Sequence, residues 1–354
     1  MDADSKAAYR FCRQILPQVS RTFALNISIL IGDLKRAVLT AYLFCRIADT
    51  VEDSAELSGD CKQQLLDTFQ QIFSSSDFHP ERLRKWSAGF IVDDMQHPYH
   101  LLVRNADQVM RVFLTLPPES QAAISECVLE MSAGMQDTVE QRASTPERLR
   151  TLRTVAELEQ YCYYVAGTVG VMLTKLFAQH APAMSSSAVK HAQQLEVSFG
   201  LGLQLTNIIK DCHEDYQRGW CYLPIELAEK HNVPPAQLFA DNHRPEAVSL
   251  LRELIAKAAH HLDDALNYTL LIPRREVRMR LFCLWPLLFA VKTLVAVERD
   301  LERLLSGEQV KITRSDVYAT VAESTILCYS NTLLRRSYER LRLPLKSLQP
   351  VEGN

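Results

Sequence analysis

An all-α fold in a single domain is predicted for this chain, and three observations predict it. Glycine is scarce: 11 residues in 354, roughly 3% against a typical ~7%. Leu, Ala, Gln, Glu and Arg, which favour helix, are abundant. Nearly every long segment repeats its apolar residues with helical spacing, and none shows sustained apolar-polar alternation.

The helical segments are punctuated by short breaks. SSSDFHPE (74–81) reads as a loop, and the Pro-Pro of LPPES (116–120) ends a helix. APAMSSS (181–187) and NVPP (232–235) are further breaks. None resembles a flexible linker, so one helical domain over 1–354 is expected. No short-period repeat is present.

Apolar residues make up 47% of the chain and charged residues 23%, enough for a large core. The net charge of −3 supplies no basic field for nucleic acid. Nine cysteines occur without a C-x-x-C pair, several inside apolar runs. They read as free thiols of a reducing compartment, with no zinc site or disulfide framework. The polar start MDADSKAAYR argues against a cleaved signal peptide. A cytoplasmic protein is expected, at most peripheral at the inner membrane surface. The most apolar stretch (281–291) is interrupted by Pro286 and reads as a core helix, since a span needs about 20 apolar residues.

In IGDLKRAVLTAYLFCRIADTVEDS (31–54), helical spacing carries an apolar stripe onto Asp49, with Asp53 one turn later. Stacked carboxylates repel unless a cation intervenes, and Mg²⁺ suits one or two carboxylates completed by phosphates and water. Arg46, one turn before, could pair with a carboxylate or a phosphate. Alone, such a pair is more often a solvated acidic patch.

The stretch 198–224 is more telling. Gln204, Asn207, Asp211, Asp215 and Arg218 form one polar stripe on a helix otherwise apolar nearly all round. Such a helix is expected to be buried, and a buried polar stripe must be paired or metal-bound. Asn207, Asp211 and Asp215 offer three oxygen ligands. Glu214 lies off the stripe, and His213 reads as a surface histidine. Metal-loaded carboxylates would attract a diphosphate and stabilise its departure. Apolar walls would shield a carbocation from water.

These residues resemble the squalene/phytoene synthase family over roughly 15–315. SRTFALN (20–26) is similar to its N-terminal segment, and YLFCRIADTVED (42–53) to its first aspartate-rich motif. YCYYVAGTVGVMLTKLF (161–177) resembles the segment with the catalytic tyrosine, and LQLTNIIKDCHED (203–215) the second aspartate-rich motif. The resemblance implies a class I isoprenoid (terpenoid) synthase fold with a central cavity. It implies head-to-head joining of two C15 or two C20 allylic diphosphates through a cyclopropyl diphosphate. It assigns Asp49, Asp53, Asp211 and Asp215 to Mg²⁺-diphosphate with Asn207 assisting, and Ser20, Arg21 and Arg46 to phosphate. Tyr161 would transfer the proton and Tyr42 would be a second pocket tyrosine. From periodicity alone, core packing is the commoner role for either ring. Gly167 and Gly170 permit close approach of a helix or of the prenyl chain.

Two segments lean toward squalene synthases. FCLWPLLFAVKTL (282–294) is similar to a segment of theirs. GEQVKITRSD (307–316) resembles a region associated with NADPH, making Lys311 and Arg314 candidates for cofactor phosphates. No Rossmann fingerprint is present. In QRGWCYLP (217–224), Trp220 stands where phytoene synthases commonly carry an arginine, so that phosphate role is lost or falls to Arg218. Thr313 stands where squalene synthases usually place a basic residue. The partners implied are a prenyl diphosphate and no nucleic acid, with peripheral membrane contact compatible with product release. The alternatives are a non-reductive enzyme making dehydrosqualene, phytoene or presqualene diphosphate, and a non-catalytic scaffold of the same fold.

Overall fold

The computed structural model describes residues 2–75, 78–144 and 149–348. Residues 76 and 77 of the expected 74–81 loop lie outside the described residues, as do 349–354. Seventeen α-helices follow one another among the described residues: α1 (Ala3–Val19), α2 (Arg21–Ser28), α3 (Gly32–Asp53), α4 (Gly59–Ser74), α5 (Pro80–Ser87), α6 (Pro98–Arg104), α7 (Ala106–Phe113), α8 (Pro118–Ser144), α9 (Val155–Cys162), α10 (Thr168–His180), α11 (Ser186–Gln217), α12 (Ile225–Lys230), α13 (Arg244–Leu271), α14 (Val277–Arg299), α15 (Leu301–Leu305), α16 (Arg314–Leu327) and α17 (Asn331–Arg342). A single π turn, Tyr163–Gly167, joins α9 to α10. The only strands among the described residues are β1 (Arg150–Thr151) and β2 (Trp220–Cys221), a two-residue parallel bridge.

Helix starts follow local chemistry. Ser20, Ser58, Thr154, Ser185, Thr313 and Ser330 each accept a backbone N–H from the following first turn. Each such cap satisfies a donor the helix cannot, for about 1 kcal/mol. The expected break at 232–235 falls between α12 and α13, while those at 116–120 and 181–187 mark helix junctions and run into the first turns of α8 and α11. Pro286 does not end its helix: α14 continues through it to Arg299. Burial on nearly all sides compensates the one backbone bond a proline removes.

The chain divides into two compact units. The first takes in residues up to 145 together with 171–182. Its α3, α4, α7 and α8 pack around Phe44, Phe69, Phe73 and Phe113, all buried. The Phe44 ring meets that of Phe73 edge-on at 4.8 Å, an arrangement favoured beyond the area it buries. This cluster anchors the helix that carries Asp49.

The second unit takes in 146–170 and 183 onward. The 32-residue α11 packs against α13, α14 and the π turn. Arg280, fully buried on α14, donates to the Ile272 carbonyl at 2.7 Å and to Asn331 Oδ1 at 2.8 Å, tying α14 to α17. Helix α14 is long and apolar enough to cross a membrane, yet 67% of its most apolar window is buried in the protein. All nine cysteines are free, and seven are buried.

Candidate active site

On α3, Tyr42, Arg46 and Asp49 form one polar group, which Tyr99 of α6 adjoins. Arg46 Nη1 donates to Asp49 Oδ2 at 2.5 Å, while its Nη2 and Nε lie 3.3 and 3.4 Å from Tyr42 Oη. The guanidinium sits 5.7 Å above the Tyr42 ring and 5.6 Å above that of Tyr99. Spacing of three and four residues brings these side chains together. Burial disfavours the Arg46 charge, but Asp49 and Tyr42 hold its pKa above the ordinary value. Asp49 is half-buried, as its stripe predicts, whereas Asp53 is exposed. Asp53, one turn on from Asp49, does not share its cover: four residues advance a helix about 40° beyond a full turn, and α3 ends at Asp53. Ser20 caps α2, its Oγ accepting from Phe23 N at 3.2 Å, and Arg21 beside it is exposed.

On α11, Asp211 and Asp215 are half-buried and Asn207 is exposed. The stripe is therefore open to solvent on one side, where a fully buried one was expected. The helix buries Leu201, Leu205, Ile208, Ile209 and Cys212 and leaves the polar row accessible. Lys210 Nζ donates to Asp211 Oδ2, and exposed Arg218 is engaged by Glu214 at 2.6 Å. His213 is half-buried, edge-on to Phe239 at 4.9 Å, and packs where a Gly307 side chain would stand. It is a packing residue, not the surface histidine expected.

The charge on this row fits a divalent cation. Burial, then the neighbouring Asp211 charge, pushes Asp215 up to about 6, with Arg218 opposing. Two carboxylates at i, i+4 carry more negative charge than the local cations relieve. Among the described residues no three His, Cys, Asp or Glu converge on one point. Protein ligands alone therefore close no metal shell, and Mg²⁺ held here would take phosphate and water oxygens as well. The sign of the pH dependence follows. An Asp whose folded pKa lies above its unfolded ~3.9 destabilises the metal-free fold as pH rises through 4 to 6. A cation competes with that proton. Mg²⁺ affinity should rise about tenfold between pH 5 and 7, read by calorimetric titration. The rise should vanish in Asp215→Asn, and a flat profile in the unaltered protein would exclude Asp215 as a ligand.

Tyr161 lies at the end of α9, half-buried. Its ring stacks on Tyr222 at 4.8 Å and 28°, and its hydroxyl donates to Tyr222 Oη at 3.3 Å. Tyr222 in turn faces Trp220 at 6.1 Å and 16°. The Arg150 guanidinium lies over the Trp220 ring at 4.9 Å, a favourable cation–π geometry. The β1–β2 bridge sets this stack by registering Arg150 against Trp220. Trp220 thus keeps a guanidinium at its face, supplied by Arg150, while Arg218 pairs elsewhere. Sequence reasoning missed Arg150, Tyr222, Tyr99 and the π turn. The one available signal was W-C-Y, whose alternate aromatics share a face when extended. A π turn inside a helical run is itself frequent at functional sites.

Gly167 and Gly170 serve helix approach. A Cβ on Gly170 would stand 2.0 Å from the Glu196 carbonyl oxygen, and one on Gly200 2.3 Å from that of Ala166. Lys311 and Arg314 are exposed, and Lys311 Nζ donates to Gln309 Oε1 at 2.6 Å. Their cationic donors suit phosphate oxygens. Thr313 caps α16 in a reciprocal box with Asp316, which accounts for a hydroxyl where a basic residue was expected.

Comparison with known proteins places the chain in a family. The family model for squalene/phytoene synthase matches residues 16–316. Squalene synthase 1 of Arabidopsis thaliana is 30% identical, over 97% of this chain and 80% of its own length. The squalene synthase of Nicotiana benthamiana is 31% identical, over 87% of this chain and 72% of its own. Among solved structures, TcSQS in complex with E5700 aligns with TM-score 0.77 and 25% identity, covering 98% of this chain and 97% of its own. A dehydrosqualene synthase shares the fold at TM-score 0.60 and 21% identity, covering 94% and 98%. On the residues matched and the helical fold they build, the chain belongs to the squalene/phytoene synthase family.

Proposed function

We propose that residues 1–354 act as one prenyl-synthase domain that condenses two farnesyl diphosphates head to head through presqualene diphosphate, then reduces the product to squalene with NADPH. As a family member the chain is a squalene synthase-type prenyltransferase. The observation that carries the reading is the half-buried Asp211/Asp215 pair, with Asp215 raised to about 6 by burial and then by the Asp211 charge.

Asp49, Asp53, Asp211 and Asp215 would hold Mg²⁺, which supplies countercharge to the departing diphosphate. Asn207 would assist. Arg46, Ser20 and Arg21 would bind phosphate oxygens of the substrate. Arg46 also orients Asp49. Tyr161 would hold and pass the proton lost when the cyclopropane closes. Tyr222 accepts from its hydroxyl and fixes its direction. Tyr42 would line the site beside Arg46. Lys311 and Arg314 would bind phosphates of NADPH, which supplies hydride when bound. The squalene synthase relatives favour the reductive product.

The test is product analysis. Purified protein with farnesyl diphosphate and Mg²⁺ should yield squalene only when NADPH is added. A product unchanged by NADPH would assign a non-reductive synthase.

A further inference from the structure

Helix α16 carries large apolar groups on its outer side. Its inner face buries Thr320 and Ser324, at 2% and 0% exposure. There Trp285 Nε1 of α14 donates to Ser324 Oγ at 3.1 Å. The outer face displays Tyr318 and Ile326 at 73% and 75% exposure, and Tyr329 follows at 58%. Ala322 is exposed between them. At 100° per residue, 318, 322, 326 and 329 form one stripe. A helix lying on a core ordinarily turns its large apolar groups inward. Large apolar groups exposed along one stripe mark a face with a second apolar neighbour.

The surroundings say which neighbour. Leu333 on α17 and Leu343 just after it are also exposed, at 48% and 61%. Residues 331–348 hold five basic side chains against one acidic, in a chain of net charge −3. Arg342 is held by Asp263 and Arg335 by Asn267, while Arg336, Arg340 and Lys346 are exposed.

We propose that α16 and α17 form a monotopic docking surface for an anionic lipid bilayer. Tyr318, Ile326 and Tyr329 would enter the headgroup boundary, and Arg336, Arg340 and Lys346 would meet lipid phosphates. Amphipathic aromatics prefer that boundary, and each basic residue near an anionic surface adds about 1 kcal/mol. A second copy would bring a like-charged rim against this one, which disfavours it. The proposal deepens the reading above, since a hydrocarbon product must leave into lipid. It is nevertheless measurable without turnover.

The full chain is floated with phosphatidylcholine vesicles, with and without phosphatidylglycerol. It should float with the anionic vesicles and be released by high salt. The Tyr318→Ser, Ile326→Ser double variant should lose about tenfold in partitioning, the loss of roughly 1.4 kcal/mol of apolar burial. Arg336→Glu with Arg340→Glu should abolish the preference for anionic lipid, and decides the matter if the serine variant melts early. Failure to float with either composition, or unchanged binding in both variants, overturns the proposal. So does a concentration-dependent dimer in light scattering that the serine variant dissolves. Vesicle binding without squalene formation would leave this surface standing and remove the reductive reading.

Discussion

Asp211→Asn should lower turnover by about 10³-fold or more with helical content unchanged. The variant keeps the shape and hydrogen-bonding reach of the side chain and removes only its charge. Asp211 and Asp215 stand one turn apart on the accessible row of α11. A neutral amide is a weaker ligand for a hard dication than a carboxylate. Losing one such ligand removes several kcal/mol of leaving-group stabilisation, and 10³ in rate is about 4 kcal/mol. The surface pair with Lys210 contributes little to folding. Circular dichroism and melting should therefore stay near the parent while product formation collapses. Substantial residual turnover would remove the metal role from this residue. The same substitution also relieves the repulsion that raises Asp215, so that group should titrate closer to an ordinary carboxylate.

Gly170→Ala should destabilise the fold where helix propensity alone predicts the opposite. Alanine is favoured over glycine in a helix interior by about 1 kcal/mol. Here the new methyl would lie 2.0 Å from the Glu196 carbonyl oxygen and 2.8 Å from its carbon. Those are backbone atoms of α11, with no rotamer through which to yield. Overpacking of this kind costs about 1–3 kcal/mol and sometimes more. The melting temperature should drop by roughly 5–10 °C, or the variant should be recovered only as aggregate. A rise in melting temperature would show that the two helices separate freely.

The helical class was legible because it rests on local terms summed over many residues. Glycine scarcity and 3.6-residue periodicity act within single segments, and so do the proline-rich breaks. The acidic helices were legible for the same reason, since i, i+4 neighbours share a helix face whatever the tertiary fold. How far each carboxylate is covered was not legible. Asp53 is exposed because α3 ends there, and Asn207 because α11 leaves that row open. Both are decided by what packs nearby. The Arg150–Trp220–Tyr222–Tyr161 stack joins segments some seventy residues apart. It depends on a two-residue strand bridge that periodicity cannot reveal. Trp220 looked like the loss of a guanidinium. It gains one from Arg150 across that bridge.

The two glycine contacts make the second unit something like a lock with a single key position. A carbonyl sits in the hollow left by Gly170 on α10 and another in that left by Gly200 on α11. Neither helix can slide past the other by a residue without a side chain striking backbone. The axial phase of the segment bearing Tyr161 is thereby indexed to α11, fifteen residues before Asp215. At 1.5 Å per residue that is a span of about 22 Å along one rod. The spacing from the Tyr161 segment to the carboxylate row is then written into the covalent rise of a helix and needs no ligand to assemble it. Shifts in product among relatives of this fold would accordingly be sought in the lining side chains, with the frame itself held fixed.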